Sequence, residues 1–194
     1  MNFLAHLVLT PPGEDYTMMG NLLGDFLKPK DFEKLDIRYQ KGFELHLRID
    51  QYTDHHPRVK AMIGLLKPSQ GRYATVVVDI MMDYFLARHW SRFVNEEFLS
   101  FEQRVYQAME EHLPEIIPNF DKSHVLYRMM KGRFLSQYHT LEGLSFVFTK
   151  LKPRLNFDNQ IEHAIEDIRR LDSQIDVDFL QFFKEIKDYL GPTI

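Results

Sequence analysis

Apolar residues recur at three- and four-residue spacings along almost the whole chain, the period of helices that bury one face. That spacing predicts helices over residues 16–28, 38–56, 57–66 and 70–94 in the first half, and over 96–113, 121–135, 138–151 and 159–190 in the second. Pro57 suits the first turn of the helix it opens, KPSQG at 67–71 reads as a connector, and the two prolines of LPEIIPNF (113–120) read as a break. VVVD at 76–79 has the composition of a strand, but its apolar run continues to Trp90, longer than most strands. The pattern is therefore all-α: a single-domain helical bundle over residues 1–194, with no internal repeat or linker.

Within that pattern, polar residues stand where apolar ones belong. In ELHLRIDQYTDHH (44–56), His46, Asp50 and Asp54 recur every four residues and form one stripe. At about 100° per residue, Phe43 and Leu47 flank that stripe on one side and Leu45 and Ile49 on the other, while Glu44, Arg48 and Gln51 point away. The acids and the imidazole thus occupy the middle of the face expected to be buried. Asp54 has a second reading, as the cap of the helix that begins at Pro57.

The conflict returns in TVVVDIMMDYFLARHW (75–90), where Asp79 and Asp83 share a line with Leu86 and Trp90 in a helix apolar nearly all round. Uncompensated burial of a carboxylate costs several kcal/mol, so something positive must face these acids. GNLLGDFL (20–27) places Asn21 and Asp25 at the same spacing beside Gly20 and Gly24, and MNFLAHL (1–7) does so with Asn2 and His6. A divalent cation satisfies such a set more completely than Arg88, which lies on about the opposite side of its helix, or than His89. Imidazoles with carboxylates and no sulfur suit Mn2+, Fe2+, Co2+ or Mg2+. His55, His89, His112, His124, His139 and His163 read as structural or surface residues.

Bulk composition narrows the classes further. A chain of 194 residues has room for one well-covered core. The absence of Cys removes disulfides and thiolate metal sites. No run reaches the roughly 18–20 apolar residues of a membrane span, and MNFLAHLVLT lacks the basic start of a signal peptide, so a cytoplasmic protein is expected. A net charge of −4 argues against general nucleic-acid binding.

MNFLAHL (1–7), GNLLGDF (20–26), HLRID with TD (46–54) and DIMMDYFLARHWS (79–91), in this order, resemble the acyl carrier protein phosphodiesterase family, with PRL at 153–155 as a fainter echo. That family is similar to the HD phosphohydrolases, which are all-helical and draw His and Asp metal ligands from several helices. The resemblance implies hydrolysis of the phosphodiester joining 4′-phosphopantetheine to a serine of acyl carrier protein, with manganese commonly the active metal. It places His6, Asp25, His46, Asp50, Asp79 and Asp83 on motif positions. Asp25, His46 and Asp79 are the expected metal ligands. His6, Asp50 and Asp83, together with Asn21, are expected as further ligands, proton carriers or supporting groups.

The chain departs from the family at Leu47, where Arg is frequent, and at Tyr84, where His is frequent, so neither side chain is required by a metal site here. Arg58, Arg88 and Arg92 are the expected contacts to an acidic carrier protein, with Lys60, Arg72 and the Arg128, Lys131, Arg133 group as further basic candidates. Two rival readings stand beside this one. One is an HD-type phosphohydrolase acting on a nucleotide or other small phosphoester. The other is a non-catalytic helical module that binds acyl carrier protein.

Overall fold

The segment with apolar residues on every side becomes a buried helix around which several others pack. In the computed structural model, which describes residues 1–118 and 120–191, that helix is α6 (Ala74–Arg88). Before it come α1 (Phe3–Val8), α2 (Asp15–Leu22), α3 (Pro29–Phe32), α4 (Ile37–His55) and α5 (Pro57–Gln70). After it come α7 (Trp90–Phe93), α8 (Phe98–Ile116), α9 (Val125–Lys131), α10 (Leu141–Leu151) and α11 (Ala164–Leu190). Short 3-10 turns join several of them, and no strand occurs among the described residues. No helix among them is long and apolar enough to cross a membrane.

Val77, Val78, Met81, Met82, Phe85 and Leu86 of α6 are completely buried by α1, α5, α10 and α11. Each such side chain contributes about 1.5–3 kcal/mol by leaving water. The long α11 covers α5 and α6 with Ile168, Ile175, Phe179, Phe182, Phe183 and Ile186, a helical-period stripe with no exposure at all. Its polar edge carries Asp172, Asp176, Asp178 and Glu185, which will matter for the basic residues considered below.

Where α2 crosses α4 there is no room for side chains. A methyl group on Gly20 would lie 2.0 Å from the Tyr39 carbonyl oxygen, and one on Gly42 would lie 2.1 Å from that of Thr17. The two helices therefore meet backbone to backbone, which brings the residues after Gly20 against the middle of α4.

Several predicted boundaries move, each for a visible reason. The segment 57–66 extends to Gln70 through Pro68, because Ser69 Oγ and Gln70 Nε2 both donate to Asp167 Oδ2 on α11, at 2.6 and 2.8 Å. The cap at Pro57 is not Asp54, which is exposed. The Arg58 amide instead donates to His56 Nδ1 at 3.3 Å. Pro57 in turn holds His56 extended and ends α4. The helix predicted over 70–94 breaks at His89, whose Nε2 is drawn to Asp176 at 2.5 Å.

In the second half, α8 runs through Pro114 to Ile116 rather than stopping at 113; Asn119 of the expected break lies outside the described residues. The helix predicted over 121–135 shrinks to α9. Arg133 takes a left-handed conformation (φ 49°) and pairs with Glu102, a fully buried carboxylate. Glu102 also accepts from Ser136 N at 3.1 Å and Ser136 Oγ at 2.7 Å, which fixes the 3-10 turn Phe134–His139 against α8.

Candidate metal centre

His6 reaches the interior because α1 is anchored there by its first amides. Leu4 N and Ala5 N donate to the two oxygens of Asp83 at 2.9 and 3.0 Å. A carboxylate at a helix start meets both the free amide donors and the positive end of the dipole. Asp83 is fully buried, and burial pushes its carboxyl up to about 7 against the pull of the two amides. Each oxygen of Asp83 accepts one amide of α1, so among the roles expected for it the structure shows the supporting one: it seats the helix that carries His6.

His46 lies midway along α4, its ring flat against Gly24, where an added methyl would come within 2.3 Å of the imidazole. The His6 and His46 rings stack at 4.2 Å between centroids, tilted by 19°. His46 Nδ1–H donates to the main-chain oxygen of Asn21 at 2.9 Å, and His6 Nδ1–H donates to the Asn21 side-chain oxygen at 2.8 Å. In the neutral rings the Nε2 atoms therefore carry lone pairs, and both point toward Asp50. His6 Nε2 is 3.2 Å from Asp50 Oδ1 and His46 Nε2 is 3.1 Å from Oδ2. His6 Nε2 is buried and has no hydrogen-bond partner.

Two imidazole nitrogens facing a carboxylate at this range form a group that could hold a cation between them. One donor atom from each of His6, His46 and Asp50 lies within 4.8 Å of the other two. Separations of 3.1 and 3.2 Å match neighbouring positions around one ion, which are about 3.0 Å apart in an octahedron with bonds of about 2.1 Å. The donor set thus fits Mn2+, Fe2+, Co2+ or Mg2+.

The other acids surround this triad. Asp25 Oδ1 is 3.8 Å from His46 Nε2, and its side chain is 43% exposed. Asp79 lies 3.7 Å from the α-ammonium of Met1, which is also 3.4 Å from Asp50 Oδ1. The tight set is therefore His6, His46 and Asp50, whereas the grouping expected from the sequence was Asp25, His46 and Asp79. A positive group does face Asp50 and Asp79, but it is a main-chain amine, invisible to a reading of side chains.

Charge and burial oppose one another throughout the centre. Burial lowers His6, and the neighbouring His46 and Met1 charges add to this, so its ring is held neutral although Asp50 is beside it. Burial also works against the charged form of His46, but contact with Asp50 and the charges of Asp50 and Asp25 outweigh it and raise that ring. Burial alone would raise Asp50, yet the two imidazoles and the ammonium hold it well below the usual carboxylate range. Asp79 is raised, first by burial and then by the charges of Asp50 and Asp54.

Neither Arg58 nor Arg88 is free. Arg58 pairs with Asp178 at 3.0 Å and Glu185 at 3.7 Å, and Arg88 with Asp172 at 2.6 Å and Asp176 at 3.9 Å, all on α11. Both arginines, expected as contacts for an acidic partner, thus join α5 and α6 to α11 while their side chains stay partly exposed. Arg92 is exposed on α7, with its guanidinium 6.0 Å from the Phe93 ring. Arg72 rests over Phe157 at 4.2 Å, and Lys131 pairs with Glu110 at 2.7 Å. Leu47, placed by the helical wheel on the buried flank, is 51% exposed, because the face bearing Asp50 opens to solvent rather than closing on a core. Sequence reasoning missed Thr10 and Tyr138, the latter accepting from Asn2 Nδ2 at 2.7 Å. Neither follows a spacing rule.

Gly24→Ala should push the His46 ring from its seat while leaving the helices in place. Displacement of a ligand by about 1 Å costs on the order of 100-fold in rate. Circular dichroism should stay unchanged while turnover falls by that order, and a fully active variant would show that the ring's seat is not critical.

The sequence profile described as acyl carrier protein phosphodiesterase matches residues 1–186. The chain is 29% identical over 189 residues to the acyl carrier protein phosphodiesterase of Serratia proteamaculans, covering 96% of this chain and 95% of that one. It is 27% identical over 192 residues to the protein of that name in an Escherichia coli strain, covering 97% and 96%. A Shigella boydii protein of that name is 35% identical over 124 residues, 62% of each chain. No solved structure matches.

Proposed function

Because this chain belongs to the acyl carrier protein phosphodiesterase family, we propose that it hydrolyses the phosphodiester between 4′-phosphopantetheine and a serine of acyl carrier protein, and that a divalent metal, Mn2+ first, is required. The observation that carries the metal requirement is the convergence of two imidazole lone pairs on the Asp50 carboxylate, one of them buried without a partner. The relatives named above support the substrate.

In this reading His6 Nε2, His46 Nε2 and Asp50 hold the ion, and Asp25, exposed beside His46, adds a further oxygen. A bound divalent cation lowers the pKa of a water to about 7 and neutralises charge on the phosphoryl oxygens. Water adds to phosphorus, the bond from phosphorus to the serine oxygen breaks, and the products are a free serine hydroxyl and 4′-phosphopantetheine. We assign Asp79 as the proton carrier for the departing serine oxygen, because it lies beside Asp50 at the shared Met1 ammonium and burial raises its carboxyl. Asn21 bonds both histidines, and Asp83 seats the helix that carries His6.

The test uses the whole chain with holo acyl carrier protein, following release of 4′-phosphopantetheine by mass spectrometry. Release should stop after exhaustive chelation and return with Mn2+. Unchanged turnover after chelation would remove the metal from the reading, and no release with Mn2+ present would remove the substrate.

A further inference from the structure

We infer that Asn21 is a positioning residue that sets the tautomer of both metal-facing imidazoles, His6 through its side-chain amide and His46 through its main-chain carbonyl, and that Thr10 holds this amide in place. The inference rests on the metal reading above for its purpose, though not for its geometry. It begins from an atom with no choice of role. The main-chain oxygen of His6 can only accept, and it takes a bond of 2.7 Å from Asn21, so the atom facing it is the amide nitrogen.

The amide oxygen must then be the atom 2.8 Å from His6 Nδ1. An oxygen there requires a proton on Nδ1, which leaves Nε2 with its lone pair turned toward Asp50 at 3.2 Å. His46 is treated the same way by a different part of the same residue, since the Asn21 carbonyl accepts from its Nδ1 at 2.9 Å. A carbonyl cannot donate, so that tautomer is fixed as well.

Thr10 completes the arrangement. Its hydroxyl donates to the His6 oxygen at 3.1 Å and accepts the second proton of the Asn21 amide at 3.0 Å. Asn21 is completely buried and all four positions of its amide and carbonyl groups named here are in use. One residue thereby presents two lone pairs to the same point. Without the side-chain oxygen, the His6 proton would move to Nε2 and donate to Asp50, which closes that nitrogen to a metal.

The experiment reads imidazole tautomers by nitrogen-15 NMR in the metal-free protein at mildly alkaline pH, and separately measures Mn2+ affinity by electron paramagnetic resonance. In the unmodified chain, neutral His6 should carry its proton on Nδ1. In Asn21→Leu the His6 proton should shift to Nε2 while His46, held by the main chain, keeps its Nδ1 proton, and Mn2+ affinity should fall 10–100-fold, the usual effect of losing a group behind a ligand. Asn21→Asp, with a proton on the oxygen that faces the His6 carbonyl, keeps an acceptor at Nδ1 and should restore the His6 tautomer. Thr10→Val touches neither ring and should weaken Mn2+ binding several-fold, which keeps the inference testable should Asn21→Leu fail to fold. His6 unchanged in Asn21→Leu, both rings altered together, or full Mn2+ affinity in Thr10→Val would each overturn it. If the unmodified chain took up no Mn2+, the metal reading would fall, and the two tautomers would still decide the role of Asn21.

Discussion

Asp50→Asn is expected to lower turnover by about 1,000-fold or more while the chain still folds. The carboxylate is the one group within 3.1–3.4 Å of His6 Nε2, His46 Nε2 and the Met1 ammonium together. An amide of the same shape offers a single acceptor, and its NH2 would donate to an imidazole lone pair and so occupy the nitrogen meant for the ion. Loss of about 4 kcal/mol of charge stabilisation corresponds to about three powers of ten in rate. The variant should also lose bound Mn2+ in proportion. His163→Ala, at an exposed ring outside the centre, is the matched control and should behave as the unmodified chain. Near-normal release of 4′-phosphopantetheine by Asp50→Asn would mean that the triad does not hold the catalytic ion.

The second large effect is on stability. In Gly42→Ala the new methyl would lie 2.1 Å from the Thr17 oxygen, 2.7 Å from Asn21 N and 2.8 Å from Gly20 Cα. These are backbone atoms of α2, so no side chain can swing aside and the helices themselves must part. Overpacking costs about 1–3 kcal/mol where side chains can adjust, so a backbone clash of this kind should cost about 3 kcal/mol or more. For a chain of this size that is a fall of about 10 °C in Tm. Activity should fall with it, since the displaced atoms include the amide of Asn21. Gly64→Ala, with nothing within 4 Å of the added methyl, should instead raise stability by about 0.5–1 kcal/mol. Similar melting temperatures for the two variants would refute the close crossing of α2 and α4.

The helices themselves were legible, because a period of 3.6 in apolar residues is a local property of the chain. So was the burial of α6, and so was the inward turn of His6, Asn21, His46 and Asp83, whereas Asp25 and Asp54 face solvent. What spacing could not provide was which inward groups meet. Asp79 and Asp83 are equivalent on a helical wheel, yet one meets an ammonium and the other caps α1, with partners 78 or more residues away in sequence. His6, expected as a further ligand, proton carrier or supporting group, enters the tight triad because its ring stacks on that of His46. Arg58 and Arg88 look free in the sequence because their acids come about a hundred residues later, on α11. Pro68 and Pro114 look like breaks because local propensity is all that a sequence shows, whereas Asp167 supports the turn after Pro68 from across the fold.

The order of these elements along the chain has a consequence in time. Every donor of the centre named above precedes residue 84, and α11, which closes over α6, comes last among the described helices. At about 5–20 residues per second, the ribosome takes roughly 5–20 s to pass from the end of α6 to the end of α11. For that interval the nascent chain presents Val78, Phe85 and their neighbours without the cover that α10 and α11 supply. Truncation within α11, far from any ligand, is for the same reason more damaging to this protein than its distance from the imidazoles suggests.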